Sequence, residues 1–148
     1  MQKITTFLTF NNQAEEAIHF YVSLFKNSKV TGLHRMGPDG PVMSGTFVLD
    51  GEEYYALNGG PMFTFAMGTS LFISCDTQEE VDHFWEKLSE GGEKSRCGWL
   101  KDQFGMWWQV VPKVLGQLMQ SGDPAKAQRV MAAMMQMDKL VIKTLEEA

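Results

Sequence analysis

The chain has 148 residues, 44% of them hydrophobic, and thirteen Lys+Arg against eighteen Asp+Glu leave a formal net charge of −5. A chain of this length reads as one domain that buries a core without disulfide staples. The acidic balance, with no basic block, excludes a nucleic-acid binder that works by neutralising phosphates.

The elements follow in chain order. The start, Met1-Gln2-Lys3-Ile4-Thr5-Thr6, carries no apolar run of signal-peptide length. Ile4–Phe10 reads as a strand, and Asn11-Asn12-Gln13 as a polar turn that offers helix N-caps. Ala14, Ala17, Ile18, Tyr21, Leu24 and Phe25 then recur at helical spacing, with Glu15 and Glu16 in the first turn, where the helix dipole favours them. Lys29–Met36, Val42–Leu49 and Glu53–Asn58 read as strands, punctuated by Gly37-Pro38-Asp39-Gly40-Pro41 and Asp50-Gly51. Tyr54 to Cys75 is uncharged, but Asn58, Gly59, Gly60, Pro61 and Gly68 break it, so two strands and a neutral loop explain it better than a membrane span. A soluble, cytoplasmic protein is expected, with Cys75 and Cys97 as reduced thiols on strand-like segments.

A second set of elements begins with the strand Leu71–Cys75. Asp76-Thr77-Gln78 with the glutamates behind them resembles a capping box. Val81, Phe84, Trp85 and Leu88 mark a second helix, closed by Gly91-Gly92. Glu93–Lys101 and Met106–Val111 read as strands around Asp102–Gly105, and Pro112 ends the last one. The remainder is helical. Asp123-Pro124 is a cap followed by proline at the first helical position of Ala125–Met137, and Asp138 is expected to cap Lys139–Glu147. Met131, Met134, Met135 and Met137 spread around their helix, which suits packing against the domain or a dimer partner.

The two sets are copies of one pattern. Shifted by 64 positions without a gap, Thr6–Asn12 falls on Ser70–Asp76, and Glu15, Glu16, His19, Phe20 and Leu24 fall on Glu79, Glu80, His83, Phe84 and Leu88. Each copy reads β-α-β-β-β.

Two Glu-x-x-His motifs, Glu16–His19 and Glu80–His83, match half of a di-iron carboxylate site. Both helices are short and flanked by strands, so no four-helix bundle can form and the duplication accounts for the pair. His19 and His83 are expected at the surface, as is His34. No G-x-G-x-x-G turn, P-loop, G-x-S-x-G elbow or metal-type Cys pair is present. Arg96 beside Cys97 could lower a thiol pKa, but a structural cysteine is the expected role. In Met106-Trp107-Trp108-Gln109-Val110-Val111, alternation puts Trp107, Gln109 and Val111 on one face. Gln109 and Asn58 are uncharged polar groups on otherwise apolar strands, and point to a pocket.

Tandem β-α-β-β-β modules resemble the vicinal oxygen chelate superfamily of glyoxalases, bleomycin-resistance proteins and extradiol dioxygenases. Gln13-Ala14-Glu15-Glu16-Ala17, Leu57-Asn58-Gly59-Gly60-Pro61, Cys97-Gly98-Trp99-Leu100-Lys101-Asp102, Phe104-Gly105 and Trp108-Gln109-Val110-Val111-Pro112 resemble its PhnB-like branch, often labelled demethylubiquinone methyltransferase-like. The likeness extends to Asp123-Pro124-Ala125-Lys126-Ala127. It implies two curved sheets enclosing a cleft, usually completed in a homodimer. In metal-using relatives it also implies a divalent ion that chelates two vicinal oxygens. The positions here that best match the metal ligands are Thr6, Ser70, a residue near Tyr54, and Gln109. None is His, Asp or Glu, so a degenerate metal site is expected.

The expected fold is therefore α+β, with module one over 3–60, module two over 69–112 and a helical extension over 113–148. The expected function is homodimeric binding of a small-molecule ligand, with Phe7, Thr9, Tyr54, Asn58, Ser70, Phe72, Trp107 and Gln109 as lining. No cofactor and no nucleic-acid or membrane partner is expected. The alternatives are a metal-dependent lyase, isomerase or dioxygenase with a site shifted to a histidine or Glu52/Glu53, a methyltransferase by family label alone, and a partner-binding role for the Met-rich helices.

Overall fold

A computed structural model describes residues 2–148. The chain divides into two compact units, one ending at Thr64 and the other running Phe65–Ala148.

The first unit contains β1 (Thr6–Phe10), α1 (Ala14–Leu24), β2 (Lys29–Arg35), β3 (Val42–Leu49) and β4 (Glu52–Asn58). Its strands form one mixed sheet in the order β1-β4-β3-β2, with β1 parallel to β4 and the other pairs antiparallel. Helix α1 covers one face. Its Ala14, Ala17, Ile18 and Tyr21 are buried, as are Leu8, Phe10, Phe47, Leu49 and Ala56 of the strands. Gly45 makes room for the helix, since a Cβ there would lie 2.7 Å from Ile18 Cδ1. The other face of the sheet carries no helix of this unit.

The second unit repeats the plan: β5 (Ser70–Cys75), α2 (Gln78–Ser89), β6 (Glu93–Lys94), β7 (Trp99–Lys101) and β8 (Trp107–Pro112), in the sheet order β5-β8-β7-β6. Val81, Phe84, Trp85 and Leu88 bury the helix face, and Ile73, Cys75, Leu100, Trp108 and Val110 are the buried strand residues. This is the α+β, twin β-α-β-β-β architecture the sequence predicts.

Capping explains where the second helix starts. Thr77 Oγ1 accepts the Glu80 amide at 3.1 Å, which satisfies a free donor of the first turn, and Glu80 Oε1 reaches back to accept the Asp76 amide just before the cap at 2.6 Å. Helix α1 is capped from afar: Gln13 makes no side-chain cap, and Asn58 Oδ1 accepts the Ala14 amide at 2.9 Å instead.

Three expectations need correction. Glu93–Lys101 is not one strand, because Cys97 (φ 59°) and Gly98 (φ 85°) are left-handed and turn the chain between β6 and β7. Cys97 therefore lies in a turn, whereas Cys75 ends β5. The extension holds three helices, α3 (Lys113–Met119), α4 (Pro124–Met134) and α5 (Ile142–Glu147). Asp123 does cap α4, accepting the Ala125 and Lys126 amides, but Asp138 caps nothing; its carbonyl accepts the Gly98 amide at 2.8 Å.

The third correction concerns the repeat. Three residues separate β1 from α1, but only two separate β5 from α2. The shift of 64 therefore holds on the helices, where Ala17 matches Val81 and Tyr21 matches Trp85, but becomes 65 on the strands, where Phe10 matches Cys75. With a side-chain period of two, that single residue exchanges the strand faces. Phe7 is the counterpart of Phe72, and Thr6 is not the counterpart of Ser70.

The extension packs on its own unit. Val111, Val130, Leu140 and Leu145 are buried together, with Leu115, Leu118, Met119, Met134 and Met137 against them. The Cys97 and Gly98 amides donate to the Met137 and Asp138 carbonyls, both at 2.8 Å. Gln78 clamps the same segment, donating to the Leu140 carbonyl and accepting the Ile142 amide. No helix among the described residues is long and apolar enough to cross a membrane.

Candidate ligand site on the open sheet faces

Residues paired across a ladder share a face. In the first unit Phe7 pairs with Tyr55, which pairs with Thr46; Thr9 pairs with Leu57, Leu57 with Ser44, and Ser44 with His34. These rows lie on the face away from α1. Phe7 is 54% exposed and meets Tyr55 edge-on, with ring centroids 6.0 Å apart. Thr31 Oγ1 donates to Thr46 Oγ1 at 2.8 Å. Gly59 lets the chain leave β4 close to this face, since a Cβ there would lie 2.6 Å from Thr9 Cγ2 and 2.8 Å from the Phe63 ring.

Tyr54 and Asn58 alternate with this set, in register with Thr6 and Phe10 on the α1 side. Tyr54 stacks on buried Phe47 at 5.4 Å, and burial, then Glu52 and Asp50, push its phenol pKa up. Asn58 is committed at both ends of its amide, to the Ala14 amide and the Val42 carbonyl. Of the four first-unit residues anticipated as lining, the pleat groups Phe7 with Thr9 and sets Tyr54 and Asn58 apart.

In the second unit all four anticipated residues share the open face. Ser70 pairs with Trp107, Trp107 with Lys101, and Lys101 with Glu93; Phe72 pairs with Gln109, and Gln109 with Trp99. Gln109 Nε2 donates to Ser70 Oγ at 3.0 Å, which fixes the amide with its oxygen as the remaining acceptor. Trp99 and Trp107 meet edge-on at 6.5 Å, and the Lys101 ammonium lies 5.8 Å from the Trp107 ring centroid and 3.6 Å from Glu93. Phe72 is 57% exposed. Two neutral polar groups thus sit among three aromatic rings, with a cation at the rim.

This face is held from behind. Asp102, 2% exposed, accepts the Phe104 and Met106 amides and the Trp108 indole N–H, which pins the β7–β8 turn and turns Trp108 to the α2 side. Sequence reasoning missed Tyr55, Trp99 and Lys101. The last two were legible in principle, because alternation within Trp99-Leu100-Lys101 puts them together.

A divalent metal does not fit these faces. Apart from Glu53 at the far end of β4, their first and last strands offer Phe7, Thr9, Tyr55, Leu57, Ser70, Phe72, Trp107 and Gln109, and Ser70 and Gln109 bond to each other. Neutral hydroxyl, phenol and amide groups are poor ligands beside imidazole and carboxylate. A shifted site fares no better. Glu53 shares the open face with His34 but is four positions along β4 from Leu57, whose row holds His34, or about 13 Å along the sheet. Glu52 lies on the opposite face from Glu53. His19 and His83 are exposed on their helices. Among the described residues no group of three or more His, Cys, Asp or Glu could hold a metal ion.

The model of the family described as 3-demethylubiquinone-9 3-methyltransferase matches residues 2–111. The chain belongs to this PhnB-like family. A PhnB protein from Bacillus cereus is 36% identical, with 75% of this chain and 99% of that one aligned at a TM-score of 0.71. A protein from Pseudomonas aeruginosa (20% identity, 76% and 98% covered, TM-score 0.63) and a glyoxalase/bleomycin resistance protein from Albidiferax ferrireducens T118 (15%, 76% and 99%, 0.50) show the same fold. No curated protein matches. The family match stops at residue 111, so α3–α5 lie outside it and the expected likeness at Asp123–Ala127 is not part of it.

The family's methyltransferase label implies a methyl-donor cofactor of the adenosyl type, and the strand-to-helix turns do not fit one. They are Asn11-Asn12-Gln13 and Asp76-Thr77, without glycine. The amides of Ala14, Asp76 and Glu80, which could cradle an anionic group, are taken by Asn58, Glu80 and Thr77.

Proposed function

We propose that this PhnB-like chain is a homodimeric protein that binds a small organic molecule on its open sheet faces without a metal of the glyoxalase type. One observation carries the reading: the half-exposed Phe72–Gln109–Trp99 row with the Ser70–Gln109 hydrogen bond. Aromatic walls around a few fixed polar groups are what a small-molecule site needs, since the walls give affinity and the polar groups give orientation. The absence of strong metal ligands from the same strands favours binding over Lewis-acid chemistry. A homodimer is proposed on family grounds.

Native mass spectrometry on protein purified without chelator or metal column tests this. The expected spectrum is a dimer with no metal and a co-purified organic mass, and Gln109→Ala should lose that mass without unfolding. A stoichiometric metal on each subunit would sink the reading.

His34 favours a second one. It is the imidazole on the first open face, in one row with Ser44, and could exchange a proton with a bound molecule. Turnover of a ligand that His34→Ala abolishes, with binding retained, would make the protein an acid–base enzyme.

A further inference from the structure

From the second open face we infer the class of the ligand: a flat, conjugated molecule carrying one anionic group, bound with its ring beside Gln109 and its charge toward Lys101. The inference deepens the proposed binding function and rests on it.

The argument starts from what the face lacks. Phe72, Trp99 and Trp107 surround Gln109 and are all at least partly exposed, so three conjugated rings meet solvent within two ladder rows. Trp99 and Trp107 meet edge-on and not stacked face to face. Flat conjugated molecules complement such surfaces, because offset and edge contacts add to the burial of apolar area. A flexible aliphatic chain gains only the area term and loses rotational freedom.

The polar groups then select within that class. Gln109 offers its amide oxygen and one N–H, and Ser70, accepting from Gln109, keeps its own O–H to donate. Lys101 is the cation of this cluster. Its partner Glu93 is 69% exposed at 3.6 Å, so the ion pair is weak and the ammonium is free to exchange partners. A carboxylate or phenolate on the ring system would accept from Lys101 while the ring lies against Trp107. An extended cation would meet Lys101 as a like charge.

The test is a calorimetric titration with three probes: 2-naphthoate, its neutral analogue 2-naphthamide, and octanoate as a flexible anion. 2-Naphthoate should bind roughly fivefold more tightly than either. Lys101→Met should weaken it roughly fivefold, the scale of a half-exposed ion pair, and leave 2-naphthamide unaffected. Phe72→Ala should weaken both naphthalenes. Lys101 and Phe72 are surface residues, and a melting curve on each variant checks the fold.

Equal binding of 2-naphthamide, or tighter binding of octanoate, overturns the ligand class while small-molecule binding stands. If no probe binds yet the purified protein retains an organic mass, the class again fails alone. If no probe binds and no mass is retained, the class and the binding function fall together.

Discussion

Asn58 shows how a single side chain can carry a structural load that its position disguises. An uncharged amide at the end of an apolar strand reads as pocket lining, yet both its ends are committed within the protein. Its oxygen starts α1 and its N–H₂ holds the Val42 carbonyl at 3.0 Å. Asn58→Ala should cost about 1–3 kcal/mol, because two half-buried partners lose their bonds together. A urea midpoint unchanged by the substitution would show that water replaces both. The two thiols differ in a similar way. Burial, then Glu80 and Asp76, push the Cys75 thiol up to about 12, whereas Cys97 lies half-exposed in the turn before β7. An alkylating reagent at pH 8 should therefore label Cys97 in the folded protein and leave Cys75 until the chain unfolds.

Among the elements, the extension is the clearest addition to the family plan. Its segment Met135–Leu140 carries the carbonyls that receive the Cys97 and Gly98 amides, and Arg96 donates to the Met135 carbonyl. Those three residues lead directly into Trp99 on the open face. Leu140, fully buried, comes within 3.2 Å of where a Gly98 Cβ would be. Leu140→Ala should cost about 2–5 kcal/mol as a cavity in this small core. It should also weaken ligand binding through Trp99, whereas the truncations Met131→Ala and Met135→Ala, at exposed methionines, should have little effect on stability. Chemical denaturation of the three variants checks the first claim and titration of a ligand the second. The β6–β7 interruption has the same origin. Cys97 and Gly98 break a strand that alternation alone would continue, and a tertiary hydrogen-bond pair holds them in the left-handed region.

For the whole molecule, the raised pKa values set a direction for stability against pH. Cys75 moves from an ordinary 9.0 to about 12, and Tyr54 moves up from 10.0, both chiefly by burial. On raising the pH the unfolded chain loses these protons before the folded one does. The stability they contribute is complete below about pH 9 and is lost as the pH rises toward 12. Urea midpoints should fall over that window, and Cys75→Ala should flatten the fall. Sedimentation addresses the proposed homodimer, which predicts twice the chain mass; a monomer at all accessible concentrations would remove that part of the proposal.

Much of the architecture was legible because it is written in local terms. The order β-α-β-β-β twice over, the Thr77 and Asp123 caps, the helix faces and the β3 bounds all follow from spacing, turn residues and capping chemistry, which act over a few neighbours. The alternation that groups Trp107 with Gln109 is equally local. The face a strand turns to its helix is not. It depended on the loop after β1 being one residue longer than the loop after β5, which an ungapped repeat conceals. For that reason Thr6 does not correspond to Ser70; Tyr54 is one position off along β4, where Tyr55 pairs with Phe7. The partners of Asn58, which reach the Ala14 amide and the Val42 carbonyl, and the pairing of the Trp99–Lys101 strand with Gln109 belong to tertiary structure alone. Each brings together residues distant in the chain, and only the pairing register of folded strands determines which of them meet.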